Sequence, residues 1–242
     1  MKSKLITSHD NPEIKHLKNL SLDSDYRYEN GQYLIEGVRS LDDNKSILRI
    51  YLREGTSLPM KTTAPVTLLA ANLFDKISLT KNSQGMIAVS KLKVYDKSSI
   101  DHTMRYVLLD RLQDPGNMGT IIRTACAFDF AGVIIAKGSV DPFSPKVVRA
   151  SMSGVDKIKI ILIESYKELN GKYLIAADKT GVPVNKFCWP DSFIIVIGNE
   201  ANGVSDELLG ACEHKLSIPL HGRIESLNAA VAAGIVLFES QK

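Results

Sequence analysis

The chain has 242 residues, 44% of them hydrophobic and 24% charged, with a formal net charge of +3. That length accommodates one large domain or two modest ones with a real core, and the composition excludes disordered, fibrous and membrane-spanning classes. The basic excess permits a polyanionic partner and is unevenly shared, with 15 Lys+Arg against 11 Asp+Glu in residues 1–97 and 15 against 16 in the rest.

The opening "MKSKLITSHDNPEIK" turns polar after two apolar residues, unlike a signal peptide or membrane anchor. Cys126, Cys188 and Cys212 are far apart and form no CxxC pair, so buried thiols in a reducing compartment are expected, not a disulfide framework or zinc site. Both features point to a cytoplasmic protein.

In "NPEIKHLKNL", Asn11 caps a helix and Pro12 takes its first position. "GQYLIEG" then reads as a strand, "VRSLDDN" as a short helix and "LRIYLRE" as a strand. "VTLLA" and "ANLFDKIS" repeat the strand–helix alternation, and "GMIAVSK" adds a strand. A polar, aperiodic linker follows near residues 96–103. The alternation then restarts with strand "YVLLDRL", helix "GTIIRTACAFDF", strand "AGVIIAK", helix "SPKVVRASMSG" and strand "KIKIILI". A short helix near Tyr166 leads to strands "YLIAAD" and "FIIVIG", helix "SDELLGAC", strand "KLSIPL" and a last helix from about Asn228. Such alternation predicts a mostly parallel sheet covered on both faces, with ligands at the carboxyl ends of its strands.

Three strand-to-helix loops concentrate polar chemistry. In "DRLQDPGNMGTIIRTA", Gly116 and Gly119 allow a tight backbone, Asn117 projects from the loop, and Arg123, about one turn into the helix, lies close enough to face the same space. In "FIIVIGNEANGVSDELL", a buried strand ends at Gly198, Asn199 and Glu200 meet solvent, and Gly203 turns the chain. In "LSIPLHGRIESLNAAVAAGI", Ser226 or Asn228 caps the last helix, which leaves Arg223 and Glu225 unexplained. Taken singly, each loop also reads as an ordinary capped helix start or glycine turn. The chain has no GxGxxG after a strand, no GxxxxGK[ST], no GxSxG and no metal-ligand spacing of His, Cys and carboxylates. Dinucleotide, nucleoside-triphosphate and serine-hydrolase chemistries are therefore disfavoured.

Together, "DPGNMGTIIRTA", "IGNEANGVSDEL" and "IPLHGRIESLNAAVAAGI" resemble, in order and spacing, the three signature motifs of the SpoU-type (TrmH-like) RNA 2′-O-ribose methyltransferases of the SPOUT superfamily. The resemblance covers about residues 105–239. "YLIEGVRSL" and "QGMIAV" are similar to the family's L30e-like substrate-binding domain. The resemblance implies an α/β protein of two parts: an L30e-like RNA-binding domain over residues 1–97 and, after a linker at 98–104, a SPOUT α/β-knot over 105–242. That knot is a trefoil-knotted, mostly parallel sheet. It further implies S-adenosylmethionine as cofactor, RNA as substrate and ribosomal RNA first among RNAs, no metal, and a homodimer whose active site draws on both subunits.

Carried over by position, Asn117, Arg123, Glu200, Ser226 and Asn228 match the family's catalytic residues, and Gly198, Ile218 and Leu227 match backbone contacts to the cofactor. The motifs depart slightly from the family pattern in "NAAVAAG" and "ACAFDF", neither at a matched polar position. Arg123 would orient the ribose hydroxyl and stabilise developing alkoxide charge, since a guanidinium is an awkward base. Ser226 and Asn228 would hold the ribose and the loop, and Glu200 would orient Arg123 or Asn117. Alternatives are a transfer RNA substrate or a non-catalytic RNA-binding assembly factor.

Overall fold

The structure, a computed structural model, describes residues 5–38, 41, 46–59, 61–80, 82–169, 171–223 and 225–242. Most of the expected helix at "VRSLDDN" lies outside the described residues. The chain forms two compact units: Met1–Lys93 with Phe143–Ser153, and Val94–Pro142 with Gly154–Lys242.

The first unit holds a five-stranded mixed sheet. Its strands are β1 (Leu5–Ile6), β2 (Gln32–Glu36), β3 (Ile47–Arg53), β4 (Val66–Leu69) and β5 (Met86–Lys91), in the order β1-β4-β3-β5-β2. β1–β4 and β3–β4 pair parallel, and β3–β5 and β2–β5 antiparallel. Helix α1 (Pro12–Leu22) starts as its sequence specifies: Asn11 Oδ1 accepts from the Glu13 N–H at 2.9 Å, and Pro12 at the first position gives up a donor that has no partner there. Its buried face of Ile14, Leu17 and Leu20 packs with Phe74 and Ile77 of α3 (Ala71–Ile77) over Leu34 and Val89 of the sheet. α2 (Ser24–Asn30), absent from the sequence reading, ends on Gly31 at φ 61°, a left-handed cap suited to glycine.

The second unit holds a six-stranded sheet in which every pairing is parallel. Its strands are β6 (Tyr106–Leu109), β7 (Gly132–Ala136), β8 (Lys159–Ile163), β9 (Leu174–Pro183), β10 (Ile194–Ile197) and β11 (His214–Ser217), in the order β11-β9-β10-β6-β7-β8. From β6 the chain builds outward through β7 and β8, then returns to the other side. β6 and β10 are therefore adjacent at a topological switch point, where parallel sheets open a crevice for ligands. Leu109 pairs with Ile197 at their carboxyl ends, so the loops leaving the two strands start side by side. Helices α4 (Pro115–Ala127), α6 (Gly154–Lys157), α7 (Asp206–Ala211) and α8 (Ala229–Glu239) belong to this unit, and α8 lies against α4. The remaining helix, α5 (Pro145–Ser151), belongs to the first unit and packs on β2.

Several boundaries differ from the sequence reading, each for a local reason. β6 stops at Leu109 because Asp110 turns its carboxylate to the Ser205 N–H and Arg111 adopts φ 54°. α4 starts at Pro115, not Gly119, because Asp114 caps it by accepting from the Asn117 N–H at 2.7 Å. β9 runs five residues beyond Asp178: its pairing with β11 jumps from Ala176 to Val182, and a Cβ on Gly181 would lie 2.2 Å from the Lys215 carbonyl carbon. β11 ends at Ser217, ahead of Pro219, which has no N–H for a ladder. Among the described residues, 218–223 and 225–228 thus form an irregular crossing.

Candidate active site

The three polar loops meet at Asn117, which bonds Glu200 of the second loop and Asn228 of the third. One carboxylate oxygen of Glu200, Oε1, accepts from the Asp114 N–H at 3.0 Å and from Asn117 Nδ2 at 3.0 Å, and the other, Oε2, accepts from the Gln113 N–H at 3.2 Å. On the other side of Asn117, its Oδ1 accepts from Asn228 Nδ2 at 2.9 Å. Asn228 Oδ1 then accepts from the N–H groups of Ala230 and Val231, capping α8. The amide orientations are fixed by chemistry: a carboxylate only accepts and a backbone N–H only donates, so each amide has one arrangement that satisfies both neighbours. The result is a polar line from a carboxylate, through two amides, to a helix start. Asn117 is buried in the middle of it.

The line also sets the charge state of Glu200. Partial burial pushes its carboxyl up. The bonds from Asn117, from its own backbone N–H, and from Asp114 and Gln113 outweigh that effect and hold it below the usual carboxylate range.

Asp110 makes a second tie between the first two loops. Buried at the end of β6, it accepts from the Ser205 N–H at 2.7 Å and from Arg111 Nε at 3.2 Å. Asn199 makes a third, donating from Nδ2 to the Arg111 carbonyl at 2.9 Å while its Oδ1 accepts from the Ala201 and Asn202 N–H groups. Gly198 is obligatory here: a Cβ would sit 2.1 Å from the Gly203 carbonyl carbon and the Val204 nitrogen. It keeps the 198–204 turn closed on itself, with Asn199 and Gly203 exchanging backbone bonds at 2.9 Å.

Of the matched residues, Asn117, Glu200 and Asn228 come together. Glu200 bonds Asn117 and not Arg123. Arg123 is exposed, six residues along α4 from Asn117 and therefore about a third of a turn away around its axis. Sequence spacing had suggested that the two face the same space. Among the described residues, neither the Arg123 guanidinium nor the Ser226 hydroxyl has a hydrogen-bond partner. The cap of α8 falls to Asn228, leaving the Ser226 hydroxyl open. Asp110, Gln113, Asp114 and Asn199 were missed as site-building residues. Asp110 was the most legible, as a carboxylate directly after four buried strand residues.

The crossing at residues 218–227 forms no hydrogen bond among the described residues. Leu220 and Leu227 stand exposed on it, at 39% and 38%. Backbone donors and acceptors open to solvent beside exposed leucines suit a ligand with a flat apolar ring edged by polar atoms.

Residues 104–238, more than half of the chain, match the model of the SpoU rRNA methylase family. The chain belongs to that family. It is 29% identical to the 23S rRNA (guanosine(2553)-2′-O)-methyltransferase RlmP of Bacillus subtilis, over 97% of this chain and 98% of that protein. Its structure is similar to that of an AdoMet-bound rRNA methyltransferase from Sinorhizobium meliloti, with a TM-score of 0.86, 28% identity, and coverage of 100% of this chain and 98% of the other. A second neighbour is the SpoU methyltransferase AviRb of Streptomyces viridochromogenes in complex with AdoMet, at TM-score 0.83 and 25% identity over 95% of this chain and 97% of that one. The all-parallel six-stranded sheet and these neighbours are consistent with the SPOUT α/β-knot. The SpoU family match spans all three polar loops, and Glu200, Asn117 and Asn228 come from one loop each.

Proposed function

We propose that this SpoU-family protein transfers a methyl group from S-adenosylmethionine to a ribose 2′-hydroxyl of ribosomal RNA. The observation that carries the reading is the Glu200–Asn117–Asn228 line, which ties all three loops into one preorganised wall at the sheet's switch point. The relatives named as rRNA methyltransferases, and the neighbours described with AdoMet, support the substrate and cofactor.

The chain's own residues fit the cofactor. The backbone of Ile218 and Leu227, with Gly198 holding the adjacent turn, would supply polar contacts to its adenosine, and Leu220 and Leu227 would supply apolar contact. S-adenosylmethionine supplies an activated sulfonium methyl, so the reading needs no metal. Ribose 2′-OH is a weak acid and a poor nucleophile, so the protein must orient it and help it lose a proton. Arg123, whose guanidinium is unengaged among the described residues, orients the hydroxyl through a neighbouring phosphate and stabilises alkoxide charge. Ser226 holds the ribose. Asn117 and Asn228 hold the loops in register, and Glu200 fixes Asn117.

Arg123 points away from its own chain's polar line, which suits a homodimer whose active site draws on both subunits. Val231 and Phe238 on α8 are 52% and 54% exposed and offer an apolar face for that twofold contact. The basic residues of 1–97 form an L30e-like domain that supplies RNA affinity, the linker at 98–104 joins it to the methyltransferase domain at 105–242, and the protein works in the cytoplasm. Among the described residues no helix is long and apolar enough to cross a membrane. Ribose methylation measured on ribosomal and transfer RNA from cells lacking the gene tests the reading. Methylation of transfer RNA alone would redirect the substrate. Cofactor-independent RNA binding without turnover would favour the assembly-factor reading.

A further inference from the structure

Arg111 occupies a position that backbone geometry assigns to glycine. Its φ is 54°, in the left-handed region, where the Cβ of any L-residue crowds the carbonyl that follows. Three hydrogen bonds hold it there. Its carbonyl accepts from Asn199 Nδ2 at 2.9 Å and from Gln113 Nε2 at 3.2 Å, and its Nε donates to Asp110 at 3.2 Å. The carbonyl bonds need only a backbone, and glycine would make them without strain. What arginine adds is a guanidinium. Nε is spent on Asp110, but Nη1 and Nη2 have no partner among the described residues, and the side chain is 47% exposed.

The location gives that half-free fork a purpose. Arg111 follows β6 at the switch point, in the loop that also carries Asn117. Its carbonyl is tied to Asn199, which neighbours Glu200. Asp110 fixes the Nε end, so the two outer nitrogens point out as a preoriented pair rather than swinging freely. A planar pair of donors matches two oxygens of one phosphate.

We propose that Arg111 is a substrate-binding residue that holds a backbone phosphate of the RNA beside the methylated nucleotide, keeping the strand in register with the ribose site. The inference rests on the proposed function, because it takes RNA as the ligand of this face. The competing explanation is that Arg111 serves only as counter-ion to the buried Asp110.

Arg111→Gly separates the two, because glycine relieves the backbone strain and keeps the carbonyl bonds. The full-length protein would be assayed on in vitro-transcribed 23S ribosomal RNA, following filter binding between 50 and 200 mM salt and methyl transfer with saturating S-adenosylmethionine. The account expects the RNA KM to rise about tenfold, the scale of one charge-assisted contact, with kcat little changed. It expects the slope of log Kd on log salt to shrink by about 0.7, one phosphate's share, and the thermal midpoint not to fall. Arg111→Lys should restore the salt slope and only part of the KM, since lysine keeps the charge and loses the fork. Unchanged KM and slope with a lowered midpoint would overturn the inference and leave Arg111 as counter-ion. A fall in kcat alone would overturn it too. If the wild-type protein neither binds nor methylates the transcript, the proposed function fails and this inference with it.

Discussion

Glu200 accepts a hydrogen bond from Asn117 Nδ2 at 3.0 Å across 83 residues of sequence, and Asn117 accepts in turn from Asn228 at 2.9 Å. Asn117 is therefore the central link, and its two bonds have opposite polarity. Asn117→Asp keeps the size and shape but sets a second carboxylate against Glu200. Like charges at that range oppose each other, so the variant should lose at least as much turnover as Asn117→Ala, about 10²-fold. Steady-state kinetics on both variants checks this. A near-normal rate in Asn117→Asp would show that the line does not organise the site.

The lowered carboxyl of Glu200 sets a direction for pH dependence. A group whose folded value is depressed stabilises the fold above its unfolded value and loses that contribution as pH falls through the folded one. The bonds to Gln113 and Asp114 should therefore survive from neutral pH down past the ordinary glutamate value of about 4.3, and weaken only below it. Hydrogen exchange of those two N–H groups, corrected for intrinsic rate, reads this directly. Glu200→Gln should lower their protection where Glu200 is ionised, converge with wild type at low pH, and flatten the dependence.

Gly198→Ala should be costly. Its Cβ would sit 2.1 Å from backbone atoms of Gly203 and Val204, which cannot rotate away as a flexible side chain could. Overpacking of this kind costs about 1–3 kcal/mol or more. Urea denaturation should show the lowered midpoint, and cofactor affinity measured by calorimetry should fall with it.

Sequence alone placed most of these elements, because their signals are local. Asn11 and Pro12 announce α1, and the apolar runs of β6, β7 and β10 announce buried parallel strands. The SpoU-type resemblance, read from three loops, agrees with the family match. The start of α4 was equally legible in Asp114 and Pro115, a cap and a first-turn proline, but the two glycines suggested a longer loop. The remaining features were not local. Asp110 meets Ser205 across 95 residues and Asn199 meets Arg111 across 88, contacts that depend on β6 lying beside β10. Asn117 lies inside α4 and not in the loop before it, which sets Arg123 about a third of a turn round the helix from it. Segment 143–153 follows β7 in the chain yet packs in the first unit, which no periodicity could reveal.

The dimer reading predicts a particle of twice the 26.6 kDa chain mass by light scattering. Phe238→Glu, placing a charge on the 54% exposed tip of α8, should shift it towards monomer and abolish turnover together. A monomeric variant with full activity would remove the shared site.

Arg123 carries the chemical step in this account. Arg123→Ala should bind S-adenosylmethionine nearly as well as wild type and lose about 10²-fold or more in rate. Arg123→Lys should rescue little if the planar fork matters, whereas a simple base role predicts rescue by a desolvated lysine whose pKa drops towards neutrality.

The most direct measurement supplies the protein with methyl-labelled S-adenosylmethionine and ribosomal RNA from cells lacking the gene, then digests the RNA to nucleosides for mass spectrometry. The account predicts label in one 2′-O-methylated nucleoside, on the ribose and not the base, and its loss with Arg123→Ala. Label on a base, or no transfer to any RNA by a wild-type protein that binds the cofactor, would contradict it.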